Sequence, residues 1–145
     1  MFESSETTFE HPRRGVVAVV PRQGRLLVIR RSEFVVAPGA YCFPGGGIHE
    51  NEGEVAAIVR EMQEELGVAA TARRLLWRSV TPWNVELAWW LVDLPSECIL
   101  AANEAEVASI HWHTPAEIRL LSNLLESNHD FLDAWQRSEF HLSLD

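Results

Sequence analysis

Six of the seventeen glutamates in this 145-residue chain fall between Glu50 and Glu65, with Arg60 as the only basic residue among them. On a helix turning about 100° per residue, Glu61 and Glu65 stand one turn apart, and Glu64 lies beside them. Glu54 is expected on the same side, which the small Ala57 leaves open. Like charges at this spacing cost a helix about 0.2–0.5 kcal/mol per pair. A divalent cation reverses that sign, because hard ions such as Mg²⁺ take carboxylate oxygens together with waters and substrate phosphates. A solvated acidic face is the plain alternative for any glutamate-rich helix. The preceding Gly45-Gly46-Gly47 is what points to a ligand, since such backbone can approach one closely and aim a carbonyl at a metal.

The elements that must position these acids can be read from periodicity. Val55, Val59, Met62 and Leu66 form an apolar stripe, Asn51 stands where it can cap the amide of Glu54, and Gly67 stands where a helix ends in a left-handed residue. Val16–Val20 and Arg25–Arg30 read as strands of a hairpin around Pro21-Arg22-Gln23-Gly24. Ser32–Tyr41 reads as a loop. Leu75–Thr81, Val85–Val92 and Glu106–His113 read as further strands. Thr114-Pro115-Ala116-Glu117 is a capping box that predicts a helix to about Leu125, and Asp130–Arg137 predicts a short final helix. Strands and helices interleave, which gives an α/β or α+β class with helices packed on a mixed sheet. Residues 1–14 read as a polar tail and 15–145 as one domain.

Composition narrows the chemistry. All twelve basic residues are arginines, so lysine Schiff-base chemistry and a P-loop are excluded. A net charge of −9 disfavours a nucleic-acid polymer as partner, because neutralising its phosphates needs a basic stripe. No apolar run reaches the roughly 18 residues of a membrane span, so no membrane partner is expected. The N-terminal stretch lacks the apolar core of a secretory signal. Cys42 and Cys98 sit in no paired motif, which fits a reducing cytoplasm.

The same residues spell a family signature. Gly46, five residues, Glu52, seven residues, then Arg60-Glu61-Met62-Gln63-Glu64-Glu65-Leu66-Gly67-Val68 resembles the Nudix box at each of its fixed positions. Phe43-Pro44 precedes it as in that family, and Arg30-Arg31 ends a strand as in MutT-like members. The resemblance implies an α/β/α sandwich with a mixed β-sheet between helices. It also implies Mg²⁺- or Mn²⁺-dependent cleavage of a phosphoanhydride in a nucleoside diphosphate derivative. By the same resemblance, Glu61 and Glu65 are the main metal ligands, and Glu64 is a ligand or orients the attacking water. Glu52 pairs with Arg60 and can assist as base, the Gly45 carbonyl is a further ligand, and Gly46, Arg60 and Gly67 are structural. Glu104 or Glu106 matches a loop that supplies another ligand in some members. His49 and Asn51 depart from the commonest box residues at positions that are not fixed.

Within that family, the compact length and short 32–42 loop favour a MutT-like member, and that resemblance implies a (deoxy)nucleoside triphosphate pyrophosphohydrolase, with ADP-ribose or a nucleotide sugar as the alternative substrate. Two other classes stay open: a non-catalytic nucleotide-sensing module of the same fold, and a calcium-braced structural domain. No box acid is missing, which favours the enzyme. A homodimer is left open. For substrate binding, Arg30 and Arg31 could reach phosphates, although strand alternation points one inward and one outward. Trp83 is a candidate stacking platform, whereas Trp89 and Trp112 read as core. His111 and His113 share a strand face without a third ligand, and Cys42 reads as a small buried residue.

Overall fold

The computed structural model describes residues 13–144. Two valine- and leucine-rich strands lie at its centre, β1 (Arg13–Val19) and β3 (Arg25–Arg31). Both are buried through consecutive residues, so both of their faces are covered. β1 pairs in parallel with β7 (Val85–Asp93) and antiparallel with β5 (Gly45–Gly47). β7 pairs antiparallel with β6 (Thr71–Val80), completing a mixed sheet in the order β5-β1-β7-β6. The second sheet is antiparallel: β3 pairs with β2 (Pro21–Arg22), β4 (Tyr41–Cys42) and β8 (Val107–His113).

Alternation along these strands divides the core into two layers. One layer joins Val16, Ala18, Leu27 and Ile29 to Ile58, Met62 and Leu66 of α1 (Glu54–Leu66). The other joins Val17, Val19, Leu26, Val28 and Trp89 to Ile118 of α2 (Pro115–Arg119) and to Phe131 of α3 (Glu126–Gln136). The result is a sandwich with α1 on one side of the strands and α2 and α3 on the other, as the family resemblance implies.

Several local expectations are corrected. Residues 1–12 of the expected tail lie outside the described residues, while Arg13 and Arg14 already belong to β1. Asn51 does not cap α1. It takes a left-handed conformation (φ 65°) in the turn that His49 and Glu52 close, and Gly53 becomes the N-cap without a side-chain bond. Gly67 does end the helix in the left-handed region (φ 63°), donating its N–H to Gln63 O. The apolar row of α1 is Ile58-Met62-Leu66 rather than the valine-led stripe, and Val55 and Val59 face outward. Ala57 is fully buried, so it opens no space beside the acids.

The capping box at Thr114 forms with both of its bonds, but α2 stops at Arg119 instead of running to Leu125. The chain beyond it is claimed by β4: Tyr41 N–H donates to Asn123 O and Leu125 N–H donates to Tyr41 O. α3 then starts at Glu126, four residues earlier than Asp130.

Phe131 anchors the layer remote from α1. It is fully buried, stacks on Trp89 with centroids 4.8 Å apart, and meets Phe43 edge-on at 5.6 Å. Phe131→Ala is expected to lower unfolding stability by about 3–5 kcal/mol in urea titration. Divalent-cation affinity of the folded fraction should stay unchanged, because this layer lies across the strands from the acids.

Candidate active site

The three-glycine strand is held before any acid is placed. Asn128 of α3, itself buried, accepts the Phe43 N–H through Oδ1 at 2.9 Å, and Ala18 N–H donates to Pro44 O at 2.8 Å. β5 then lies against β1 so closely that a Cβ on Gly45 would strike the Val16 carbonyl oxygen. A Cβ on Gly46 would sit 2.5 Å from the Glu61 carboxylate. These glycines therefore admit a helix's acidic flank against backbone, which no larger residue allows.

That flank is the row Ala57-Glu61-Glu65, one step around α1 from its apolar row, and both glutamates are buried. Glu65 Oε1 accepts the Gly45 N–H at 3.1 Å. Glu106, at the end of the loop before β8, brings a third carboxylate from outside the helix. One oxygen from each of Glu61, Glu65 and Glu106 lies within 4.8 Å of the others. The acids line a cleft of about 850 Å³ with Arg13, Arg31 and residues 45–52, large enough for a nucleotide-sized ligand.

Arg60 organises the rim. Its Nε and Nη2 clamp Glu52 in a bidentate pair at 2.7 and 2.9 Å, and Nη2 also donates to Gly47 O at 2.8 Å. Its Nη1 reaches Glu61 at 2.9 Å and Glu64 at 3.2 Å. These contacts separate the acids electrostatically. The Arg60 bonds, with the His49 N–H, hold Glu52 at about 2, so it is a poor proton acceptor near neutral pH. Burial pushes Glu61 up to about 7 against the pull of Arg60, with Glu64 and Glu106 adding repulsion. Burial raises Glu65 well above the usual carboxylate range, and the charge of Glu61 adds to that. Glu64 has a half-exposed side chain and one bond to Arg60.

Three carboxylates that converge in a partly dry site, two of them buried with raised proton affinity, form a donor set suited to a hard divalent cation. The chemistry open to this arrangement is electrostatic: neutralising a polyphosphate and activating water beside it.

Other expected residues fall elsewhere. Glu54 leaves the acid group and binds Arg14, Arg78 and the Trp90 indole, a contact set outside the reach of its helical spacing to Glu61. Glu104 lies apart from the carboxylate cluster, on a smaller recess of about 270 Å³ with Arg30 and Phe34. Arg31 faces the cleft, donating to Val36 O and lying 4.0 Å from Cys42 Sγ, whereas Arg30 folds over Tyr41 and bonds Gly39 O. Trp83 is 78% exposed on the β6–β7 turn, away from the cleft. Cys42 is buried and its thiol is pushed up to about 11 by burial, so it is no nucleophile. His111 and His113 stack on each other at 5.6 Å, outside the carboxylate cluster. Sequence reasoning missed Asn128, Asn103 and Arg13. The turn-forming Asn103 three residues before Glu106 was the available signal for one of them.

A cleft of clustered carboxylates on an α/β/α sandwich is suited to holding a metal–polyphosphate. The chain belongs to the NUDIX family: the NUDIX domain family model matches residues 10–135. It is 31% identical over 106 residues to a CTP pyrophosphohydrolase of Escherichia coli K12, covering 70% of this chain and 76% of that protein. It is 32% identical over 88 residues to an RNA pyrophosphohydrolase of Hydrogenovibrio crunogenus, covering 61% of this chain but 46% of that protein. Its fold matches a MutT protein from Methanosarcina mazei with a TM-score of 0.76 at 20% identity, over 90% of this chain and 98% of that one.

The buried acids give a testable pH dependence. Folded Glu61 keeps its proton up to about pH 7, whereas the unfolded chain releases it near 4.5. The stability it contributes is therefore full below about 4.5 and lost as pH rises through 7. Metal-free protein is expected to lose stability relative to Glu61→Gln between pH 5 and pH 8 in urea titrations. A difference that stays flat across that range would contradict the assignment.

Proposed function

We propose that this chain is a Mg²⁺- or Mn²⁺-dependent pyrophosphohydrolase that converts a (deoxy)nucleoside triphosphate to the monophosphate and pyrophosphate. The convergence of Glu61, Glu65 and Glu106 within 4.8 Å carries this reading. These three residues, with Glu64 at the rim and the Gly45 carbonyl as a further donor, would hold the cations. When bound, the cations supply charge neutralisation of the phosphates and acidify water. Arg31 on the cleft wall would meet the phosphate chain, and Arg60 keeps Glu52 and Glu61 in place.

Between the two candidate bases, local chemistry favours Glu64. Both oxygens of Glu52 are occupied by Arg60 and its proton affinity is very low, whereas Glu64 is half-exposed and singly bonded. Glu64 would accept the proton of the attacking water as the oxygen–phosphorus bond forms, and pyrophosphate leaves. A mononucleotide suits the cleft better than an RNA end, because a net charge of −9 disfavours tracking a polyanionic polymer. The two cysteines are free, which fits a reducing cytoplasmic setting. Among the described residues no helix is long and apolar enough to cross a membrane.

The test is a panel of nucleoside triphosphates, ADP-ribose and nucleotide sugars with product identification, with and without Mg²⁺. Metal-dependent release of pyrophosphate from triphosphates is expected, and Glu64→Gln should lower kcat by about 10²–10⁴-fold. Glu65→Gln should lose activity together with cation affinity. Preferred cleavage of ADP-ribose would move the substrate class. Binding without turnover would leave a sensing module, and full activity of both variants would overturn the site.

A further inference from the structure

We propose that Asn103 is the positioning residue that presents Glu106 to Glu61 and Glu65, and so sets the width of the carboxylate cluster; this rests on reading the cluster as a divalent-cation site. Glu61 and Glu65 share a helix, so their spacing is fixed by helical geometry. Glu106 arrives on a separate segment, and its distance from them depends on how that segment is tied to α1.

The tie runs mainly through one residue. Asn103 N–H donates to Glu65 O at 2.9 Å, and its Nδ2 donates to Glu64 O at 3.2 Å. These carbonyls belong to the last turn of α1, where no intrahelical donor remains. Ala101 N–H adds a bond to Leu66 O at 3.0 Å. On its other side, Asn103 shapes the turn that delivers Glu106. Its Oδ1 accepts the Ala105 N–H at 3.2 Å, and its carbonyl accepts both Glu106 N–H at 2.9 Å and Val107 N–H at 2.8 Å. Its Nδ2 also lies 3.4 Å from Glu106 Oε2. The buried Ser32 holds the same segment to the end of β3, donating its N–H to Glu106 O and its hydroxyl to Ala105 O. The hydrogen bonds of Ser32 run to Glu106, Ala105 and Phe34, whereas those of Asn103 run to α1 as well as to the Glu106 turn. Asn103 does both jobs, because an amide offers a donor and an acceptor together. Partners that orient a ligating carboxylate typically alter metal affinity by about 10–100-fold when removed.

The experiment measures Mn²⁺ affinity of the metal-free full chain from the paramagnetic resonance signal of free Mn²⁺. The variants are Asn103→Ala, Asn103→Ser, Glu106→Gln and the Asn103→Ala/Glu106→Gln pair. Asn103→Ala is expected to weaken binding about tenfold, and the pair to bind no more weakly than Glu106→Gln alone, since Asn103 acts through Glu106. Asn103→Ser keeps a hydroxyl acceptor for Ala105 N–H but lacks the amide Nδ2 that reaches Glu64 O, so it carries the same comparison should Asn103→Ala not fold. Wild-type affinity in the Asn103 variants, or an undiminished further loss in the Glu106→Gln background, overturns the proposal and leaves the cation site standing. Wild-type affinity in Glu106→Gln removes Glu106 from the cation site itself, and the proposal falls with it.

Discussion

Carboxylates that are crowded together and removed from water cannot all remain ionised unless positive charge joins them. In this protein that constraint falls on Glu61 and Glu65, buried on the flank of α1, and on Glu106, which faces them from another segment. Burial and mutual repulsion raise both helical acids, so the metal-free cleft holds protons where the proposed working state holds cations. Most of the surrounding structure serves to keep this unfavourable group assembled. The glycine strand admits it, the last turn of α1 fastens the loop that completes it, and the two apolar layers hold the strands beneath it.

Arg60 shows how one guanidinium can divide labour among neighbouring acids. Its planar fork meets Glu52 with two donors, and its remaining donors reach Glu61, Glu64 and Gly47 O. A lysine, with a single compact charge, could not hold five acceptors in fixed directions. The consequence is a set of four glutamates on or near one helix with different tasks. Glu52 is locked and strongly ionised, Glu61 and Glu65 are buried side by side, and Glu64 stays accessible at the rim.

The local geometry of the box was legible in the residues because its positions are fixed by contacts within a short segment. Gly46 meets Glu61, Glu52 meets Arg60, and Gly67 ends the helix, all inside 23 residues. What depended on distant partners was read less well. The valine-led stripe differs from the buried row because Ala57 and Ile58 give a weaker periodic signal than the valines, and packing against β1, β5 and β6 decides which row is buried. Asn51 looked like a cap, yet the turn closed by Glu52 takes it into a left-handed conformation. The helix after Thr114 stopped early because Tyr41, more than seventy residues upstream, pairs with the backbone around Leu124. Glu106 could not be separated from Glu104 by spacing alone. The bonds of Asn103 to the last turn of α1 and to the Glu106 turn distinguish the two.

The central claim concerns where a cation sits, and an anomalous-scattering map from crystals grown with Mn²⁺ and a non-hydrolysable nucleoside triphosphate addresses it most directly. The expected result is an anomalous peak about 2.0–2.2 Å from carboxylate oxygens of Glu61 and Glu65, with nucleotide phosphate oxygens among its ligands. A map with the nucleotide ordered in the cleft but no peak beside these two glutamates would contradict the claim.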